Sequence, residues 1–133
     1  METITIKTNQ EQELIDITPQ IKDIVEKSQT QTGTVTVYTP HTTTAILINE
    51  NYDPDVKEDI LKQLSQLIPQ KNNYKHAEGN SNAHIKSSII GNSRTIIIEN
   101  NKLQLGTWEG ITLCEFDGPR TRKIHIQTIN QKP

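Results

Sequence analysis

The sequence predicts an α+β fold in a single domain, residues 1–133, with a sandwich-like core of mixed or antiparallel β-sheet and about three helices. Segments with helical spacing of apolar residues are separated by groups of short strands, so helices and strands do not alternate regularly along the chain. A length of 133 residues fits one domain. Only 32% of the residues are hydrophobic, which predicts a thin core that gains stability when copies associate.

Six runs of β-branched or alternating residues predict the strands. In the last of them His125 alternates with isoleucines, so we expect it on the polar face of the sheet rather than in a ligand set. Three consecutive isoleucines within 95–99 indicate a central buried strand. The predicted strands are 3–8, the segment around Val35 and Val37 that stops near Pro40, 42–49, 95–99, 111–116 and 123–129.

Cap and breaker residues predict the helices. Thr18 precedes Pro19, and Asp53 precedes Pro54, which in each case is typical of an N-cap followed by the first helical residue. Asn80 or Ser81 is expected to cap a third, short helix. The predicted helices are 19–28, 54–68 and 83–90, the second ended by Pro69 and the third closed by Gly91.

Composition argues against several classes of function. The net charge is −2, with 14 basic and 16 acidic residues, so there is no basic excess of the kind that binds nucleic acid. No apolar run reaches the length of a membrane span, and the N-terminus lacks the features of a signal peptide, so we expect a cytoplasmic protein with no membrane partner. The single cysteine, Cys114, lies in an apolar strand and predicts a buried, unreactive thiol.

Histidines are concentrated in a polar part of the sequence. His76, Glu78 and His84 lie in or beside a stretch, 70–81, that is almost free of aliphatic residues, and His41 follows a predicted strand. We expect His41, His76 and His84 to bind a divalent metal ion. Neutral imidazoles favour Zn²⁺ over Mg²⁺. The alternative is that these are solvated loop histidines beside a helix cap.

Two further segments carry polar residues suited to an anion. Asn80 and Ser81 lie at the start of the third helix, where free backbone N–H groups attract negative charge, and Arg120 offers a bidentate clamp for phosphate. Asp117 precedes a Gly-Pro turn and is a candidate acid or base held at the site by Arg120. The alternatives are ordinary helix capping and a plain turn.

Two more residues are open to two interpretations. Trp108, the only tryptophan, either stacks on a flat ligand ring or packs in the core or an interface. Glu50 precedes the second helix and either reaches the site as a base or belongs to a polar segment whose main role is capping by Asp53.

Taken together, these motifs resemble the YjbQ family, whose members are often called secondary thiamine-phosphate synthases. The resemblance covers nearly the whole chain. The segments that carry it are Pro40–Asn51, Asp53–Val56, His76–His84, Leu103–Trp108 and Glu115–Arg120. It departs from the family pattern at Glu109, where we expect glutamine after the tryptophan, and this puts substrate preference in question.

The resemblance implies a compact α+β domain, a homotrimer and a polar pocket. It also implies a weak thiamine-phosphate synthase activity, which joins a pyrimidine pyrophosphate to a thiazole phosphate and releases pyrophosphate. The residues expected in the pocket are Glu78, Asp117 and Arg120 as catalytic groups, Asn80, Ser81, Trp108 and Glu50 on the substrate, and His41, His76 and His84 on the metal.

Two hypotheses about function follow from these observations. The first is an enzyme that acts on a phosphorylated small molecule. The second is a non-catalytic trimeric module that binds a metal ion or a phosphorylated metabolite. A purely structural subunit is disfavoured, because interface cores are depleted of charged residues such as those clustered here.

Overall fold

The computed structural model describes residues 1–131, which contain eight strands and three helices. All the strand pairs are antiparallel, which is one of the two arrangements predicted. The strands are β1 (Glu2–Lys7), β2 (Glu13–Asp16), β3 (Thr32–Tyr38), β4 (Thr44–Glu50), β5 (Ser93–Glu99), β6 (Lys102–Leu103), β7 (Glu109–Glu115) and β8 (Thr121–Asn130). The helices are α1 (Thr18–Ser28), α2 (Pro54–Leu67) and α3 (Ser81–Ile90). No helix among these residues is long and apolar enough to cross a membrane.

The strands form two sheets. The first has five strands in the order β1-β8-β3-β5-β6, and the second has three in the order β2-β7-β4. Alternation along each strand sends one set of side chains inward. The main core lies between the two sheets and is closed by α1; its buried members are Ile17, Ile21, Val25, Val35, Val37, Ile46, Ile96, Ile98, Ile111, Leu113, Ile124 and Ile126.

The opposite face of the three-stranded sheet is covered by helices. Ala45 and Cys114 on that face form a second buried cluster with Ala83 of α3 and Phe116. Leu61 and Leu64 of α2 pack against it. The protein is therefore layered as five-stranded sheet, core, three-stranded sheet and helices, which confirms the predicted α+β sandwich.

Two strands, β2 and β6, were not predicted from the sequence. β2 has only four residues, all of them half-buried, and β6 has two, so neither shows the alternation that marks a strand. Their pairing with β7 and β5 comes from tertiary packing.

The helix ends differ slightly from those predicted. α1 begins at Thr18 rather than after it, and Thr18 accepts a hydrogen bond from the backbone N–H of Ile111 instead of capping. Asp53 does cap α2, by accepting from the N–H of Asp55. α3 begins at Ser81, two residues earlier than predicted.

The pairing of β4 with β7 defines two opposite ends of the protein. Thr44 pairs with Glu115 at one end, and Glu50 pairs with Glu109 at the other. Six residue steps of about 3.3 Å separate the ends by about 20 Å. The chain segments around His41, Asp117 and α3 meet at the first end.

Candidate functional site

A polar cleft of about 710 Å³ lies at the Thr44–Glu115 end of the sheet. It brings together the segment between β3 and β4, the segment that leads into α3, and the turn between β7 and β8. The residues that line it are Pro40, His41, Thr42, Thr43, Glu78, Asn80, His84, Asp117, Arg120, Thr121 and Arg122.

A buried ion pair forms the base of this cleft. Glu115 is fully buried and Arg122 is 4% exposed. The Arg122 guanidinium donates to both Glu115 oxygens, at 2.8 and 2.6 Å, and to the Thr43 hydroxyl at 2.9 Å. Glu115 also accepts from the Thr8 hydroxyl at 2.8 Å and from the Asp117 N–H at 3.1 Å. A buried carboxylate with this many donors is held in one position.

Asp117 is the centre of a second polar network above this pair. Its Oδ2 accepts from Asn80 Nδ2 at 2.9 Å and lies 3.2 Å from an Arg120 guanidinium nitrogen. Arg120 Nε also donates to the Asp117 carbonyl at 2.9 Å. The Arg120 side chain is about half exposed, so it is fixed at its base and still presents guanidinium N–H groups to the cleft.

Asn80 occupies the N-cap position of α3 without capping it. Its side-chain amide donates to Asp117 and makes no cap hydrogen bond. Its Oδ1 is buried and has no hydrogen-bond partner among residues 1–131. An orphaned buried acceptor of this kind is costly unless a ligand or a water molecule donates to it. The side chain predicted as a helix cap is therefore directed to the site.

His41 is hydrogen-bonded to β8, an inner strand of the five-stranded sheet. Its Nε2 accepts from the backbone N–H of Lys123 at 2.9 Å, which requires the neutral ring. Partial burial lowers the pKa of His41, and the nearby positive charge of Arg122 lowers it further. Nδ1 then carries the ring hydrogen and can donate it to a substrate.

His76 and His84 are neighbours at one side of the cleft. Their rings meet edge to face with centroids 5.5 Å apart. His76 Nδ1 is hydrogen-bonded to the hydroxyl of Ser81 at 2.9 Å, and its Nε2 lies 3.6 Å from Glu78 Oε1. His84 also lines a more apolar depression beside the cleft, together with His76 and Tyr74.

The predicted metal ligands do not form a complete set within one chain. Among residues 1–131, no three His, Cys, Asp or Glu side chains are arranged to hold a metal ion. The Lys123 amide already occupies Nε2 of His41, and His76 lines the adjacent depression rather than the cleft itself. Metal binding by these histidines stays a prediction.

Two predicted site residues lie elsewhere. Glu50 and Trp108 are at the opposite end of β4 and β7, about 20 Å from the cleft along the strands. Glu109, the departure from the family pattern, accepts from the Gly106 N–H at 2.8 Å and is exposed. It does not face the cleft of its own chain.

The sequence reasoning missed Arg122, Glu115 and Thr43. A signal was present for the first of these, because Arg122 occupies an inward position of the strand that also buries Ile124 and Ile126. A charged residue at an inward strand position needs a buried partner. Glu115 ends the apolar run of β7 and is that partner.

Comparison with known proteins agrees with the sequence motifs. The family model described as UPF0047 protein YjbQ-like matches residues 2–131. The chain belongs to the YjbQ family. It is 54% identical over 127 residues to a UPF0047 protein of Methanocaldococcus jannaschii, covering 96% of this chain and 92% of that protein. It is 46% identical to the UPF0047 protein YugU of Bacillus subtilis, covering 97% and 98% respectively.

Solved structures of this YjbQ family share the fold. A family member from Clostridium acetobutylicum superposes with a TM-score of 0.96 at 50% identity, covering 97% of this chain and all of that one. A YbjQ-like protein from Sulfolobus solfataricus gives a TM-score of 0.94 at 34% identity, covering 98% of this chain and 96% of that one.

Proposed function

We propose that this YjbQ-family chain is a small-molecule enzyme whose cleft binds the phosphate groups of its substrate. The observation that carries the proposal is the meeting of six predicted site residues from three chain segments in one cleft: His41, Glu78, Asn80, His84, Asp117 and Arg120. A pocket with convergent polar groups is the usual form of a small-molecule site.

Each group has a role that follows from its contacts. Arg120 is fixed by Asp117 and offers its remaining N–H groups to a phosphate. The start of α3, which Asn80 leaves without a side-chain cap, adds backbone N–H groups for the same charge. Asn80 Oδ1 accepts a hydrogen bond from the substrate. Glu78 and Asp117 are the candidate groups for proton exchange with the substrate.

The reaction proposed is the weak thiamine-phosphate synthase activity that the family resemblance implies. The bond between the pyrimidine substrate and its pyrophosphate breaks, and the thiazole phosphate becomes bonded to the pyrimidine in place of the pyrophosphate. Negative charge develops on the leaving group, and Arg120 with the α3 N–H groups supplies the donors that such a charge needs.

The test is release of pyrophosphate from the two phosphorylated substrates. Arg120→Gln removes the clamp and is expected to lower kcat/KM about 100-fold or more. Lys102→Gln, an exposed change on β6 outside the cleft, is the matched control and should keep full activity. Calorimetric binding of the substrates without pyrophosphate release would support the alternative, a non-catalytic binding module. Absence of both binding and release would refute a phosphate site.

Metal content is a separate measurement. The predicted Zn²⁺ site requires that purified protein retain zinc in elemental analysis and that His84→Ala and His76→Ala both lose it. His125→Ala is the control histidine, since it lies on the outer face of the five-stranded sheet. A His84→Ala protein with undiminished zinc would show that the ligand assignment is wrong.

A further inference from the structure

Three polar side chains meet at the start of α3, beside the cleft. The Ser81 hydroxyl lies 2.9 Å from Nδ1 of His76, and Nε2 of the same ring lies 3.6 Å from Oε1 of Glu78. A hydroxyl, an imidazole and a carboxylate in this order are the parts of a serine nucleophile, its general base and the group that orients the base. Such a set is recognised by its geometry, whatever the order of the residues along the chain.

The position of Glu78 determines which nitrogen of His76 acts as the base. A carboxylate close to Nε2 favours the tautomer that carries the ring hydrogen there. Nδ1 then has a free lone pair, and the Ser81 hydroxyl donates to it. The separation of 3.6 Å between Glu78 and the ring is longer than a hydrogen bond. The Glu78 side chain is 77% exposed and free to turn, and catalytic hydrogen bonds of this kind tighten when a substrate binds.

Ser81 does not have the capping role that serines usually have at the start of a helix. Asn80 occupies the N-cap position, and Ser81 is the first residue of α3. The Ser81 hydroxyl makes one hydrogen bond within residues 1–131, the bond to His76, and the residue is only 8% exposed. The N–H of the next residue, Asn82, belongs to the first turn of the helix, where backbone donors have no intrahelical partner. A donor for a developing negative charge therefore directly follows the hydroxyl-bearing residue.

An apolar depression of about 360 Å³ gives this hydroxyl a binding pocket. The residues that line the depression are Tyr74, Lys75, His76, Ser81, His84 and Ile85. The Tyr74 hydroxyl donates to the Pro69 carbonyl at 2.6 Å, which fixes the tyrosine ring in the wall. Neither Ser81 nor His76 lines the polar cleft. The depression is therefore suited to an apolar group of a ligand, whereas the cleft is suited to a charged one.

We propose that Ser81 is the nucleophile of a second activity, the hydrolysis of small carboxylic esters, with the depression as the binding site for the apolar acyl group. This activity goes beyond the proposed function and does not depend on it. In the first step Ser81 Oγ bonds to the carbonyl carbon of the ester, and the hydroxyl proton passes to Nδ1 of His76. Negative charge develops on the carbonyl oxygen, and the N–H of Asn82, the residue after the nucleophile, is the donor for it.

The remaining steps need water as the only other reactant. The bond between the acyl carbon and the alcohol oxygen breaks, and the leaving oxygen takes the proton from His76. A water molecule then gives a proton to His76 as its oxygen bonds to the acyl carbon. The bond from that carbon to Ser81 Oγ breaks, Ser81 recovers the proton from His76, and the carboxylic acid leaves.

Covalent labelling tests the nucleophile without any phosphorylated substrate. A fluorophosphonate bonds to the oxygen of an activated serine and loses fluoride. Trypsin cleaves after Lys75 and after Lys86, and the peptide 76–86 between these sites contains Ser81 as its only hydroxyl-bearing residue. Mass spectrometry should find the label on this peptide in the folded protein and not after unfolding in urea. The next tryptic peptide, 87–94, carries three serines and should stay unlabelled, so it is an internal control.

Hydrolysis of p-nitrophenyl butyrate, followed by the absorbance of p-nitrophenolate, measures turnover. Ser81→Ala and His76→Gln should each lower kcat/KM about 100-fold or more, because one removes the nucleophile and the other its base. Ser88→Ala is the matched control and should keep full activity. It removes an exposed hydroxyl of the same helix, which donates to the backbone carbonyl of His84. The rate should also be the same with and without EDTA, since no metal ion takes part in the steps above.

The absence of label on peptide 76–86 in the folded, unmodified protein would overturn the proposal, and this measurement does not depend on any variant folding. An unchanged rate in a Ser81→Ala protein that is folded by circular dichroism would overturn it as well. Loss of hydrolysis in EDTA would show that His76 is not the base. A labelled Ser81 without pyrophosphate release would count against the proposed function alone, and pyrophosphate release by a protein that takes up no label would count against the esterase alone.

Discussion

Removal of Arg122 is the perturbation whose cost follows most directly from the structure. Arg122→Met keeps an unbranched apolar stem and removes the guanidinium with its three hydrogen bonds, two to Glu115 and one to Thr43. It leaves the Glu115 carboxylate fully buried with the Thr8 hydroxyl and the Asp117 N–H as its donors. Loss of one partner of a buried ion pair typically costs about 3–5 kcal/mol.

That loss is large against the whole free energy of unfolding, which for a domain is about 5–15 kcal/mol. Urea titration followed by circular dichroism, at one fixed protein concentration, measures it. Lys27→Met is the matched control. It breaks the Lys27–Asp23 pair, in which the Lys27 side chain is 77% exposed, and water screens such pairs, so the midpoint should hardly change.

A double-mutant cycle separates the pair from the general effects of each substitution. Glu115→Gln keeps an oxygen that accepts from Thr8 or Asp117 and removes the charge. The double variant should lose about 2 kcal/mol less than the sum of the two single variants, because neither charge is then left without its partner. A loss below about 1 kcal/mol in Arg122→Met, or strict additivity in the cycle, would refute the role assigned to this pair.

Three further substitutions test other features of the fold. A Cβ on Gly33 would lie 1.9 Å from a carbonyl oxygen of β8, so Gly33→Ala should abolish cooperative thermal unfolding. Gly79 has open space around an added Cβ and a φ of +86°, so Gly79→Ala should fold and lose about 1–2 kcal/mol of its free energy of unfolding. Burial lowers the pKa of Lys86, so in the alkaline range the unfolded chain binds more protons than the folded one. The free energy of unfolding should therefore rise with pH toward about 10.4. Urea titrations at several pH values should show that Lys86→Met loses this rise. Burial and then the charge of Arg122 lower the pKa of His41. The contribution of His41 to the free energy of unfolding is therefore complete above about pH 6.5 and is lost as the pH falls through the lower folded pKa. His41→Gln keeps an acceptor, so its stability should depend less on pH in this range, and an equal dependence would contradict the hydrogen bond from His41 to β8.

The sequence was informative wherever a local pattern determines the structure. Pro54 behind Asp53 marked the start of α2, because the cap and the first helical residue are local choices. The alternation of Ile124 and Ile126 with polar residues in β8 indicated which side chains of that strand point into the core of the five-stranded sheet. β2 and β6 were out of reach, since pairing with strands far along the chain creates them.

The cleft was predictable in its residue types but not in its spatial arrangement. Motifs placed His41, His84 and Arg120 in one set, and the structure brings them to one cleft. Nothing local distinguishes Trp108 from these residues, yet the register of β4 with β7 sends it to the other end of the sheet. That separation is a tertiary property that no local pattern in the sequence encodes.

The buried ion pair connects the fold to the site. Relative to well-packed apolar residues, a pair of this kind adds little net stability, so its presence between apolar strands needs another reason. Glu115 accepts from Thr8 after β1, from Arg122 in β8 and from the Asp117 N–H in the turn that carries Arg120. One carboxylate thus fixes the relative positions of three segments around the cleft. If positioning is its role, the Glu115→Gln, Arg122→Met double variant should fold with most of its stability and still release pyrophosphate far more slowly than the unmodified protein. Retained stability together with retained activity would show that the pair has no part in shaping the cleft.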